Sequence, residues 1–179
     1  MFVCAFLSSY ATFAQNGNAE TVLVGGEAMY PKKNIVENAV NSKDHSTLVA
    51  AVKAAGLVET LSGTGPFTVF APTNDAFENL PAGTVETLLK PENKDKLTKV
   101  LTYHVLSGKF TMADVKKAIQ KGGGKVELTT VSGDKLTAMM NGANNIVLKD
   151  AQGNVANIST YDVMQSNGVI HVIDKVILP

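Results

Sequence analysis

Residues 166–179 read SNGVIHVIDKVILP, and this run constrains the fold more than any other. In extended backbone successive side chains point to opposite faces. Val169, His171, Ile173, Lys175 and Ile177 therefore share one face, and Ile170, Val172, Asp174, Val176 and Leu178 share the other. Both faces are mostly apolar. A strand of this kind has to be covered on both sides, so it is central in a sheet or sandwiched between layers. A single imidazole there is expected to be a neutral, hydrogen-bonded core group, because a catalytic or metal-binding histidine normally arrives with partners at recognisable spacing.

Such partners are missing from the pattern. His45, His104 and His171 are the three histidines, none forms a His-x-x-x-His pair, and no cysteine follows Cys4 to complete a zinc site. The triplet DHS at 44–46 contains the residue types of a hydrolase triad, but consecutive residues on a helix do not face one another, and a helix cap explains them better. There is no Gly-x-Ser-x-Gly elbow. In KGGGKVE, from Lys121, Lys125 is followed by Val126 and a strand, where a phosphate loop needs Ser or Thr and a helix; glycine there serves a helix-to-strand turn. Asp150 and Asp162 are expected on the solvated surface.

Charge excludes another class. The 16 basic residues balance the 16 acidic ones, and every basic residue is lysine, so no guanidinium fork is present for bidentate phosphate recognition. The lysines are scattered, with short pairs such as Lys32-Lys33 and Lys116-Lys117, and no basic stripe tracks a phosphate backbone. Nucleic acid is not an expected partner. With 45% hydrophobic residues in 179, the chain can bury one substantial core and is short for two domains.

The start has a different texture. The apolar block Phe2 to Leu7, followed by small residues with Thr12 and Ala14 before Gln15, reads as the back half of an export signal over 1–14. Cys4 lies inside it, so no disulfide is expected in the exported chain. Residues 15–29, rich in Gly and Asn, read as a flexible arm, and the domain is expected over 30–179. No later run reaches the roughly 18 apolar residues of a membrane span.

Along the domain, Leu48, Val52 and Ala55 recur at helical spacing, with Asp44 or Ser46 to cap the start and Gly56 to end the helix. FTVFAPTNDAF then predicts a buried strand over 67–71, broken by Pro72, and a brief helix capped by Thr73 and running to Phe77. Helices are predicted over 84–89, 93–102 and 112–121. KVELTTV, DKLTAMM, NIVLKD and NVANISTYDV are strand-like runs separated by Ser132-Gly133, Asn141-Gly142 and Gln152-Gly153, the spacing of an antiparallel meander. Helices in front and sheet behind imply an α+β fold.

Three segments resemble one known family. TVFAPTNDAF (68–77) is similar to the first signature box of fasciclin-like domains, TYHVLSG (102–108) to their central tyrosine-histidine segment, and SNGVIHVIDKVILP to their second box. The resemblance spans about 30–179. It implies a β-sandwich or wedge of about seven strands with several helices along one side, and a role for Thr68, Val69, Phe70, Ala71, Pro72, Thr73, Asn74, Phe77, Asn167, Gly168, His171 and Asp174 as structural motif residues. It also implies a secreted, periplasmic or extracellular surface location and a function in adhesion or protein contact, without catalysis, cofactor or metal. In animal matrix relatives, integrin contact is assigned to an Asp-Ile pair before the second box and to the tyrosine-histidine segment. These positions fall on Asp162 and Val163, with valine in place of isoleucine, and on Tyr103 and His104. The contact surface is thus expected at the strand end and loop around Tyr161 to Met164. The partner implied is a protein or a matrix or cell-envelope ligand, met by a monomer or weak homo-oligomer. Two other readings are a small-ligand or lipid binder, which calls for an apolar helix/sheet cleft of roughly 300 to 1,000 Å³, and a hydrolase or metal enzyme using His104 or His171.

Overall fold

The structure, a computed structural model, describes residues 21–179. The expected export signal over 1–14, Cys4 within it, and residues 15–20 of the expected arm lie outside the described residues. From residue 22 the arm reading is corrected. Val22–Val24 (β1) and Glu27–Met29 (β2) pair as an antiparallel hairpin. The Gly25-Gly26 pair is its turn, with φ of 62° and 75°, a geometry glycine adopts freely and which matches the twist of the flanking strands. Val24 and Met29 are buried in the core.

Seven helices follow in the described chain: Ile35–Ala39 (α1), Ser46–Ala55 (α2), Val58–Ser62 (α3), Asn74–Glu78 (α4), Thr84–Leu88 (α5), Lys94–Tyr103 (α6) and Met112–Lys121 (α7). Gly56 ends α2 in the left-handed region, as the helix-stop reading requires. Neither Asp44 nor Ser46 caps that helix. The cap comes from afar: Asn74 Oδ1 accepts the Thr47 N–H at 3.0 Å, and its Nδ2 donates to the Lys43 carbonyl at 2.8 Å.

The main sheet has seven strands, Phe67–Pro72 (β3), Val105–Ser107 (β4), Lys125–Thr129 (β5), Lys135–Asn141 (β6), Asn145–Lys149 (β7), Val155–Gln165 (β8) and Gly168–Ile173 (β9). Their order is β4-β3-β9-β8-β7-β6-β5. β5 to β8 form the expected antiparallel meander. β3 and β9 pair in parallel, Phe67 opposite Gly168 through Pro72 opposite Ile173. Pro72 therefore ends β3 inside the pairing. A bridge between Leu106 and Thr130, and a 2.8 Å bond from the Val131 N–H to the Val105 carbonyl, bring the two outer strands together. The fold is α+β, with a nearly closed seven-stranded sheet and helices packed on it.

The sheet has two buried sides. Ile170, Val172 and Val176 join α1, α2, α3 and α6 side chains in one cluster. Ile173 and Ile177, on the other parity of the same run, join Phe70, Tyr103, Ile119 and Leu148 in a second cluster inside the curled sheet. Every residue of β9 is buried. Central placement between two layers explains why no polar face interrupts it.

Candidate functional site

The segment 160–164 lies within β8, not in a loop, which corrects the expected strand end. The strand is irregular there: its pairing with β9 shifts between Ile158 and Thr160 and again between Thr160 and Val163. Asp162 sits in this bulge with φ of 54°, the one non-glycine at positive φ among the described residues. Its Oδ1 accepts the Met112 N–H at 2.8 Å, satisfying a donor of the first turn of α7 that the helix itself leaves open and placing negative charge at that helix start. The rest of the start is closed locally, since Thr111 and Asp114 form a capping box.

His171 completes the staple. The Asp162 N–H donates to His171 Nδ1 at 3.2 Å, and Nε2 lies 2.9 Å from the Phe110 carbonyl. A backbone N–H can only donate, so Nδ1 is the acceptor and Nε2 carries the proton. The ring stacks on Phe70 and meets the Tyr161 ring edge-on. Burial lowers its pKa from the usual histidine value, opposed by the Phe110 carbonyl and the Asp162 charge.

His104 follows the same logic. Its Nδ1 lies 2.8 Å from the Val100 carbonyl, and Nε2 accepts the Ile177 N–H at 3.2 Å. Complete burial pushes its pKa down to about 4, against the Val100 carbonyl and the charge of Asp150. Tyr103 is fully buried; its hydroxyl donates to the Lys135 carbonyl at 2.9 Å and accepts the Ala151 N–H at 3.2 Å. Burial raises its pKa, opposed by the Ala151 N–H and reinforced by Asp150 and Asp134. Val163 is 1% exposed. Tyr103, His104 and Val163 therefore face the interior and present no contact surface, which corrects their assignment as partner-contact residues. Tyr161 and Asp162 are half-buried, the Tyr161 hydroxyl accepting the Ile146 N–H at 2.9 Å.

The motif residues act as joints. Asn167 Oδ1 accepts the Ile35 N–H at 3.0 Å, while Nδ2 donates to the Leu61 and Gly63 carbonyls at 2.8 Å each. A Cβ on Gly168 would lie 2.1 Å from the Phe67 carbonyl oxygen, so only glycine admits the close approach of β9 to β3. Thr68 Oγ1 donates to Gly108 and accepts from the Phe110 N–H, at 2.7 and 2.9 Å. Asp174 takes the backbone N–H and side-chain amide of Asn157, at 2.7 and 2.8 Å. Thr73 caps α4 through Ala76, and Phe77, Val69 and Ala71 fill the helical core.

Two polar groups escaped the sequence reading. Asp150, expected on the surface, is 5% exposed; its oxygens accept the Gln152, Asn154 and Leu178 N–H groups and the Asn154 amide, at 2.8 to 3.0 Å. The Asp-x-x-Gly spacing at 150–153 is an Asx-turn signal that could have located it. Buried Asn38 pairs with both backbone groups of Tyr30 and with Gln165 Oε1, a partnership no local pattern reveals.

Two apolar voids, about 40 and about 20 Å³, lie under α1, well below the expected cleft. An open groove of about 460 Å³ runs past Leu80, Pro81, Val155, Lys175 and Leu178. No group of three His, Cys, Asp or Glu among the described residues could hold a metal ion, and no described helix is long and apolar enough to cross a membrane.

Comparison with known proteins agrees with this architecture. The fasciclin domain family model matches residues 43–179. Protein sll1483 of Synechocystis is 53% identical over 162 residues, covering 89% of this chain and 81% of that one. Human periostin is 30% identical over 178 residues, covering 99% of this chain and 24% of the relative. The solved FAS1 domain pair of the insect cell adhesion molecule fasciclin I superposes with a TM-score of 0.73 at 23% identity, over 82% of this chain and 51% of that one, and so shares its fold. The nearly closed sheet, the three signature segments in register and the match over 43–179 together mean that this chain belongs to the fasciclin domain family.

Proposed function

We propose that the chain is an exported adhesion or protein-interaction module that carries out no catalysis. The observation that supports this most is that His104 and His171, the histidines a hydrolase or metal site would use, have both ring nitrogens engaged with backbone groups inside the fold. Neither offers a lone pair to a substrate or metal without dismantling the joint it makes. Family membership points the same way, since the fold neighbour is an insect cell adhesion molecule.

Of the positions linked to contact, Asp162 is the one that fits. One carboxylate oxygen is bonded to Met112, and the half-exposed group can present the other to a protein, matrix or cell-envelope ligand. Asp162→Asn keeps an acceptor for Met112 and removes the charge. Its binding to intact cell envelopes should weaken by about 1 to 3 kcal/mol, with Tm nearly unchanged. Wild-type binding should be saturable and survive a chelator. No saturable binding to envelope or matrix, or an ester, glycoside or phosphoester turnover lost on His104→Gln or His171→Gln, would overturn the reading.

A further inference from the structure

Among the described residues the pair Asn-Gly occurs twice, at Asn141-Gly142 and at Asn167-Gly168, and the fold treats the two in opposite ways. The pair matters chemically because glycine lacks the Cβ that otherwise screens the backbone nitrogen, so that nitrogen can reach the side-chain amide carbon of the asparagine before it. Asn167 is 7% exposed and fully engaged: its Nδ2 donates to the Leu61 and Gly63 carbonyls and its Oδ1 accepts the Ile35 N–H. Gly168 is buried against the Phe67 backbone. The two reacting atoms there cannot meet unless the β3–β9 contact opens.

Asn141 is the reverse case. It is the last residue of β6 and pairs with Asn145 at the mouth of the β6–β7 turn. Residues 141–145 are all exposed. Among the described residues, no group bonds the Asn141 side chain or accepts the Gly142 N–H. A Cβ on Gly142 would meet nothing within 4 Å, so solvent has open access to that side of the turn. Asn144 and Asn145 are equally exposed but are followed by Asn145 and Ile146, whose side chains screen the attacking nitrogen. The Ile146 N–H is also tied to the Tyr161 hydroxyl at 2.9 Å.

We propose that Asn141 is a site of spontaneous covalent modification, deamidation through a succinimide with water as the only co-reactant. The Gly142 nitrogen gives its proton to solvent and attacks Asn141 Cγ. The Cγ–Nδ2 bond breaks, and Nδ2 takes a proton from solvent and leaves as ammonia. Water then opens the ring at either carbonyl. Cleavage at Cγ gives aspartate, and cleavage at the main-chain carbonyl gives isoaspartate, with the chain rerouted through Cγ. Nothing is oxidised or reduced. Either product adds one negative charge to a chain whose formal net charge is zero. Isoaspartate also adds a methylene to the main chain, and the length of a hairpin turn sets the register of its strands. The strain falls on the Asn141–Asn145 pair and then on Met140–Ile146, where Ile146 is 1% exposed.

The test keeps the full folded chain in mildly alkaline buffer at physiological temperature for weeks and maps tryptic peptides by mass spectrometry. Asn141 falls in peptide 136–149 and Asn167 in peptide 150–175. The mass gain of amide-to-acid conversion should appear at Asn141, about a hundredfold faster than at Asn167, the factor by which three hydrogen bonds of ordinary strength limit opening. In guanidinium chloride the two rates should converge. Asn141→Gln, which would need a six-membered imide, should remove the gain from 136–149. The isoaspartyl chain should exchange its Ile146 amide hydrogen faster than Asn141→Asp does, because that variant has the charge without the methylene. An Asn141 that stays intact in the folded chain while the unfolded chain converts would overturn the proposal. So would conversion at Asn144 or Asn145 instead, equal rates at Asn141 and Asn167 in the folded chain, or equal Ile146 exchange in the isoaspartyl and Asn141→Asp chains.

Discussion

Asp162 meets two demands that few side chains satisfy together. Its backbone is left-handed, which Asp and Asn tolerate better than other non-glycine residues, and its carboxylate holds the first N–H of α7. Asp162→Ala loses the bond and keeps the strain, and should cost about 1 to 3 kcal/mol in urea unfolding. Asp162→Gly should fall in between, because it loses the same bond but relieves the strain. If the alanine and asparagine variants unfold together, the bond to α7 contributes nothing. The sequence reading put Asp162 on the solvated surface, whereas it is half-buried and bonded. Its true donor, Met112, lies fifty positions away, and no local spacing reports that. The tyrosine-histidine segment was misread as surface for the same reason: Tyr103 and His104 end a helix whose buried side is fixed by Lys135, Ala151 and Ile177, all distant in sequence.

Elements were legible where a period or a local start signal marked them, as Thr73 marks five-residue α4. α2, α6 and α7, ten residues each, show a helical period, and the meander shows its turns. α1 and α3, five residues each, are too short to show a period, and the β1–β2 hairpin was hidden by a glycine pair that reads equally as linker. Caps supplied from other elements were invisible. Asn74, in the first signature box, caps α2 across the fold, so Asn74→Ala should lower stability by about 1 kcal/mol and speed hydrogen exchange at Thr47. Unchanged exchange at Thr47 would remove the cap from the account. Gly168→Ala tests the β3–β9 contact more severely. The methyl has no room against the Phe67 carbonyl, and a loss of about 4 kcal/mol or more is expected, read as a fall in urea midpoint or failure to fold.

For the whole molecule, three buried neutral histidines set the response to acid. An unfolded histidine takes its proton near pH 6.5, while folded His104 resists until about pH 4. Stability is therefore full above about pH 6.5 and falls as pH drops toward 4, by on the order of 3 kcal/mol from His104 alone. His45 and His171, also lowered by burial, act in the same direction. Urea unfolding at pH 7 and pH 4.5 measures this, and an unchanged free energy would contradict it. The helical core also depends on residues ahead of the family match: Val24, Met29 and Ile35 are buried in it, and the Ser166 N–H donates to the Lys33 carbonyl at 2.9 Å. A chain begun at Lys43 should thus be several kcal/mol less stable, and equal urea midpoints would show the hairpin and α1 to be dispensable. The sheet's order was the least legible feature, because parallel pairing of β3 with β9 joins segments about a hundred residues apart. That pairing also governs timing during synthesis. β3 leaves the ribosome long before β9, so the central parallel pairing that joins β3–β4 to the β5–β8 meander can close only when the chain is nearly complete.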